Sequence, residues 1–139
     1  MSGVLSTQDP SLAASSKTIR EGTEVWSEVR LAELREQGKA VFVDVTAKWC
    51  ITCIANETTV LFTDRMSAEF ERREITYLVA DWTEYEPSIA KFVEKHGRTG
   101  IPLYVFYPAR SGVRPIILPQ LLTFSNVLKS FDEAYDENS

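Results

Sequence analysis

Cysteine is scarce in this 139-residue chain, with two residues, and histidine scarcer still, with one. Two thiols cannot build a disulfide framework, so stability has to come from an apolar core. A structural zinc site wants four ligands, and two cysteines with a distant His96 do not supply them. No apolar run approaches the roughly 18 residues of a membrane span. The opening "MSGVLSTQDPSLAASSK" lacks the basic and apolar regions of a secretory signal, so the chain reads as soluble. Basic stripes are missing as well, and the net charge of -5 argues against nucleic acid as a partner. Neither an internal repeat nor a low-complexity tract is found beyond the lead-in.

What is present is globular composition, 44% hydrophobic and 25% charged, at a length that suits one domain with a sizeable core. Residues 1–22, rich in Ser, Thr, Ala and Gly without periodicity, read as a lead-in or linker, and residues 23–139 as the domain. "WSEVRLAELREQGK" is expected to be a helix capped by Ser27, with Trp26 stapled onto Leu31 and Gly38 as terminator. "AVFVDV" and "ITYLVAD" have the continuous apolar, β-branched character of strands covered on both faces. "ITCIANETTVLF" reads as a helix starting at or near Cys50, and "TDRMSAEFERRE" as another starting at Thr63 or Asp64. "EPSIAKFVEKHG" places Pro87 in a first turn and Gly97 at the stop. "PLYVFY" and "VRPIIL" are strands close enough for a hairpin. "TFSNVLKSFDEAY" sets Val127, Leu128, Phe131 and Tyr135 on one helical face. Early βαβ alternation followed by an antiparallel pair predicts an α/β fold, a mixed central β-sheet with helices on both faces.

Both cysteines lie in "VFVDVTAKWCITC", at the junction of a strand and a helix. There the unpaired N–H groups of a first helical turn favour an anion on Cys50 and draw its pKa from about 8.5 toward 7 or below. Cys53, one turn on, is placed to attack a mixed disulfide, which makes Cys50 the attacking thiol and Cys53 the resolving one. Two incidental buried cysteines would both have to fall at this junction by chance. A structural disulfide closing so small a loop gains little chain entropy.

Asp44 interrupts the apolar strand six residues before Cys50. Desolvated beneath the helix it would resist ionising and be able to take the Cys53 proton; at a strand end it would face solvent instead. Pro102, in "TGIPLYVF", opens a buried strand. An X-Pro bond there can be cis, and the loop before it keeps backbone groups that an extended partner segment can pair with. Trp49, beside Cys50, is expected to be half-exposed. Trp82 and Tyr85 follow a strand end, where they either line a partner surface or pack over the helix start at Pro87. His96, near a helix C-terminus, is given no catalytic task.

With Asp44, Trp49-Cys50-x-x-Cys53 and Ile101-Pro102 in this order, the chain resembles the thioredoxin superfamily over about Val25 to Tyr135. The resemblance implies a thioredoxin-like fold with a cis Ile101–Pro102 bond facing the cysteine pair. "KWCITCIANE", "VADWTEYEPSIAKFVEKHGRTGIPLYVFYP" and "ILPQLLT" look like the C-terminal periplasmic domain of DsbD/ScsB-type thiol:disulfide interchange proteins. That likeness implies a periplasmic reducing relay. A membrane-embedded donor domain of the same full-length protein supplies electrons, protein disulfides and dithiols are the partners, and the lead-in serves as the connecting linker to the inner membrane. It implies a monomeric domain with no cofactor beyond the redox-active Cys50–Cys53 disulfide, and no metal. Catalysis then falls to Cys50, Cys53 and Asp44, and partner binding to Trp49, Ile101 and Pro102.

The departures are Ile54, where these sites often carry a basic residue, and Lys48, where an acidic one is common. No cation lies between the cysteines, at Ile51-Thr52, to stabilise a thiolate, which favours a reductant over a strong oxidant. The alternatives are a free-standing thioredoxin-like reductase and a non-catalytic binding module of the same fold.

Overall fold

The chain is described here by a computed structural model covering residues 22–110 and 113–136. Its elements run β1 (Thr23–Val25), α1 (Glu28–Glu36), β2 (Ala40–Thr46), α2 (Ile51–Asn56), α3 (Asp64–Arg72), β3 (Ile75–Asp81), α4 (Pro87–Lys95), β4 (Leu103–Tyr107), β5 (Ile116–Ile117) and α5 (Phe124–Asp136). The strands form one mixed sheet in the order β1-β3-β2-β4-β5. β1 and β2 both run parallel to β3, β4 runs antiparallel to β2, and β5 antiparallel to β4. The α/β architecture with a mixed sheet is therefore as expected from the alternation of patterns.

Every residue of β2 is buried, because helices cover both faces of the sheet. Val41, Val43 and Val45 point one way, into a core completed by Trp26, Leu34, Ile89, Phe92 and Val93 from the α1 and α4 side. Phe42 points the other way and packs with Val60, from the turn that follows α2, and with Met66, Phe70, Val127 and Phe131 of α3 and α5. The rings of Phe42, Phe70, Tyr77 and Phe131 meet at 5.0–6.3 Å between centroids. Pairs of this kind add about 0.5–1.5 kcal/mol each beyond the area they bury. The period-two alternation of β2 thus puts Asp44 on the Phe42 face, among aromatic residues and beneath α2.

Local signals act as their chemistry requires. Ser27 and Thr63 cap their helices, accepting from the N–H groups of Arg30 and Met66. Pro87 opens α4, and Gly38 and Gly97 end α1 and α4 with φ of +73°, a conformation open to glycine at no steric cost. Leu31 packs against the cluster that holds Trp26.

Three details differ from expectation. β1, three residues long, was hidden in what reads as the approach to α1; it is held by the strand partner β3 rather than by its own pattern. The segment "VRPIIL" contributes only Ile116–Ile117 to the sheet, since Pro115 and Pro119 bracket it and offer no N–H to a ladder. The helix after Cys50 widens into a π-helical turn at Glu57–Leu61, where the N–H of Phe62 donates to the carbonyl of Glu57 at 2.8 Å. Val127 and Phe131 lie on the buried face of α5 with Leu128 partly covered; the side chain of Tyr135 lies outside the described residues.

Candidate functional site

β2 ends at Thr46, and four residues later the chain turns into α2. Cys50 is the N-cap of α2, and its Sγ accepts the N–H of Cys53 at 3.2 Å. An N–H aimed at this sulfur stabilises a thiolate more than a thiol. The two cysteines are joined as a disulfide with Cα atoms 5.2 Å apart. Cys53 is fully buried, while Cys50 retains 7% of its surface and is the more accessible of the two sulfurs. Ala47 and Ile101 pack against the pair. The Ile101–Pro102 bond is cis, in line with the resemblance, and brings this loop alongside the cysteines.

Asp44 has no solvent exposure. Tyr77 on β3 donates its hydroxyl to Asp44 Oδ2 at 2.6 Å, whereas Oδ1 is buried with no hydrogen-bond partner among the described residues. Burial pushes the Asp44 carboxyl up from 3.8 to about 7, against the lowering effect of the Tyr77 bond; Glu57 and Asp81 push it further the same way. The solvent-facing alternative for Asp44 is thereby excluded.

Glu57 is a functional candidate that the reading of motifs missed. It sits on the helix seven residues after Cys50, half-buried, and its Oε2 accepts the hydroxyl of Thr46 at 2.6 Å. Burial raises its carboxyl, the Thr46 bond lowers it, and Asp81 raises it. A spacing of seven is two helical turns, so Glu57 lies on the face of the helix that carries Cys50 and Cys53 toward the sheet.

Asn56 is a second missed residue. Its buried amide donates to the Tyr104 hydroxyl and to the Gln120 carbonyl, both at 2.8 Å, and its Oδ1 accepts from Leu122 N at 3.1 Å. Gln120 Nε2 in turn donates to the Pro102 carbonyl at 3.1 Å. The "ILPQLLT" segment is therefore latched to the cysteine helix on one side and to the proline loop on the other. No short motif marks this role, because the partners are 48 to 66 residues apart in the chain.

Around the barely open Cys50 the surface is apolar. Trp49 is 60% exposed and Ile51 81%, with Ile54 also outside the core. Trp49 is anchored through its indole N–H to the Thr83 carbonyl at 3.0 Å, and the N–H of Lys48 donates to Thr83 Oγ1 at 3.0 Å. Thr83 is itself held by Asp81 Oδ1. Of the two aromatics after β3, Trp82 packs partly against the core, and Tyr85 stands exposed beside it at 6.1 Å. His96 caps the end of α4, its Nδ1 at 2.9 Å from the Phe92 carbonyl.

Residues 22–109 match a family model described as thioredoxin-like. No curated protein matches the chain. Among solved structures, a thioredoxin from Thermus thermophilus is similar at a TM-score of 0.65 and 17% identity, over 85% of this chain and 91% of that one. Chloroplastic thioredoxin z is similar at 0.62 and 18%, over 85% and 98%. The Neisseria meningitidis DsbD C-terminal domain is similar in its oxidised form at 0.58 and 18%, over 83% and 99%. At these identities the likeness is one of fold. A Cys50–Cys53 pair on such a fold is consistent with a thiol–disulfide oxidoreductase. By the match over residues 22–109 and the sheet that carries them, the chain belongs to the thioredoxin-like family.

Proposed function

We propose that this chain is a protein-disulfide reductase, a relay that passes electrons from a membrane-embedded donor domain to periplasmic protein disulfides. One observation carries the catalytic part of this reading. Asp44 is fully buried on the sheet face under the cysteine helix, with one carboxylate oxygen left without a partner. A buried acid with a raised pKa and a free oxygen is suited to taking up and returning a proton.

In the reduced protein the Cys50 thiolate attacks one sulfur of a partner disulfide. An S–S bond forms between Cys50 and the partner, and the partner's other sulfur leaves as a thiolate. Cys53 then gives its proton to Asp44 and attacks Cys50 Sγ. The Cys50–Cys53 bond forms, the mixed disulfide breaks, and the second partner thiolate departs. Two electrons have moved from the dithiol to the partner. A donor dithiol restores the pair by the same exchange in reverse, with Asp44 returning the proton to Cys53.

No organic cofactor or metal enters this scheme. Ile101 and Pro102 hold the partner's backbone beside Cys50, and Trp49 forms the platform next to it. The contact is small and transient, because a relay has to release its partner after each exchange. The direction toward reduction is supported by the site's lack of a cation between the cysteines, since a strong oxidant owes its potential to a stabilised reduced form.

The test is the reduction potential of the Cys50–Cys53 pair, by equilibration against a thiol buffer. A value near or below about -230 mV supports an electron-donating relay, and one near about -120 mV overturns it. Faster reduction by a purified DsbD-type membrane domain than by cytoplasmic thioredoxin reductase separates the relay from a free-standing reductase.

A further inference from the structure

Asp44 meets the sheet through its register partners, Val79 on β3 and Tyr104 on β4. Among the described residues one hydrogen bond reaches it, from the hydroxyl of Tyr77, two residues before Val79 on the same strand, at 2.6 Å from Oδ2. That hydroxyl has little freedom to leave. The Tyr77 ring is 4% exposed and wedged among Phe42, Phe62 and Phe70, with centroids 5.1, 5.8 and 5.0 Å away. A ring so packed keeps its rotamer, so the O–H is carried to a fixed point. The cross-strand pairing of Phe42 with Tyr77 sets that point, two residues before Asp44 along β2.

The other groups around Asp44 make no hydrogen bond to it among the described residues. Glu57, on the helix above, is engaged by Thr46, and Asp81, at the end of β3, is engaged by Thr83; both repel a charge on Asp44. The Tyr104 hydroxyl on β4 is the acceptor of the Asn56 amide. Cys50 and Cys53 are tied to one another.

We propose that Tyr77 is a positioning residue for the proton-transfer carboxylate, clamping Asp44 by Oδ2 so that Oδ1 is the oxygen left to exchange a proton with the thiol. This rests on the proton role proposed for Asp44 and adds to it the group that orients and tunes the acid. The bond to Tyr77 favours the ionised form. It opposes the burial and the two acidic neighbours that hold the carboxyl near 7, and so keeps Asp44 a competent base at neutral pH. The phenol itself stays protonated throughout, its pKa driven well above the ordinary range by burial and by Asp44.

The experiment titrates the Asp44 carboxyl carbon by NMR in the oxidised protein. Alongside it, reduction of insulin disulfides is followed against pH, in wild type, Tyr77→Phe, Asp44→Asn and the double variant. Tyr77→Phe keeps the ring and deletes the hydroxyl. A hydrogen bond to a charged group is worth enough to move the Asp44 midpoint, and the basic shift in the pH–rate profile with it, upward by about one pH unit or more. In the Asp44→Asn background the same change should add nothing to the profile. A second probe acts in the opposite direction: 3-fluorotyrosine at position 77, a more acidic phenol of nearly the same shape, should lower the midpoint. If Asp44→Asn leaves the pH profile of wild type intact, the proton role of Asp44 falls, and this inference with it. If Asp44→Asn removes that limb while neither change at Tyr77 moves the midpoint, the proton role stands and the role of Tyr77 is overturned.

Discussion

A buried acid that ionises near neutrality must leave a mark on stability, and Asp44→Asn in the oxidised protein exposes it. The carboxyl has an ordinary value of 3.8 and a folded value of about 7. Between those values the folded chain binds a proton that the unfolded chain has released, so stability falls as pH rises through that window. Below about pH 4 both forms are protonated and Asp44 contributes no slope. Above about pH 7 both are ionised, and the full penalty has been incurred. At about 1.4 kcal/mol per pH unit, the window corresponds to an order of 4 kcal/mol. Asparagine keeps an oxygen for the Tyr77 hydroxyl and cannot ionise. It introduces N–H donors in a buried place, which costs about 1–3 kcal/mol at every pH. The diagnostic is therefore the slope and not the absolute stability. Urea denaturation from pH 4 to 8 should show wild type losing about 4 kcal/mol relative to the variant across the range, with Glu57, whose carboxyl is also raised, adding a slope of its own to both curves. Parallel curves for the two proteins would refute the buried-acid account.

The two cysteines should behave unequally. Cys53→Ala should accumulate a mixed disulfide with a partner protein through Cys50, visible as a reducible adduct on a gel; an adduct through Cys53 in Cys50→Ala would reverse the assigned roles. Asn56→Ala should destabilise the oxidised protein by about 2–3 kcal/mol, since it strands the Leu122 N–H and the Tyr104 hydroxyl among buried groups. It should also speed amide exchange at Leu122 more than at Val43 in the sheet centre; equal effects at both would mean that the latch is not local.

The cysteine pair, Asp44 and Pro102 were readable from the chain because each is a local exception to a strong pattern. An aspartate inside a β-branched run, or a proline at the head of another, stands out against its neighbours, and the pattern fixes which face it occupies. β1 was not readable, as three residues carry no periodicity and take their conformation from β3. Glu57 falls inside the helix read over "ITCIANETTVLF", two turns beyond Cys50, but a single acid on a helix carries no local signal that it is half-buried. Tyr77 and Asn56 were not readable either. Their roles depend on which strands pair and in what register, and "ITYLVAD" shows only that Tyr77 is interior to a strand, not that it pairs with Phe42, two residues before Asp44. The same limit hid the function of "ILPQLLT", whose backbone is useful because of what it touches.

These hidden residues share a physical logic with the visible ones. A cation beside Asp44 would lower its pKa, stabilise the folded charge and remove most of the destabilisation at high pH. What surrounds it instead, among the described residues, is two carboxylates and two phenols. Glu57 and Asp81 accept from Thr46 and Thr83, Tyr104 makes no hydrogen bond to Asp44, and among the described residues the acid is held at the edge of ionisation by the Tyr77 donor against burial and repulsion. Such a balance costs stability under neutral conditions and makes little sense for a carboxylate that only supports the fold. It suits an acid whose task is to hold a proton in one redox state and release it in the other.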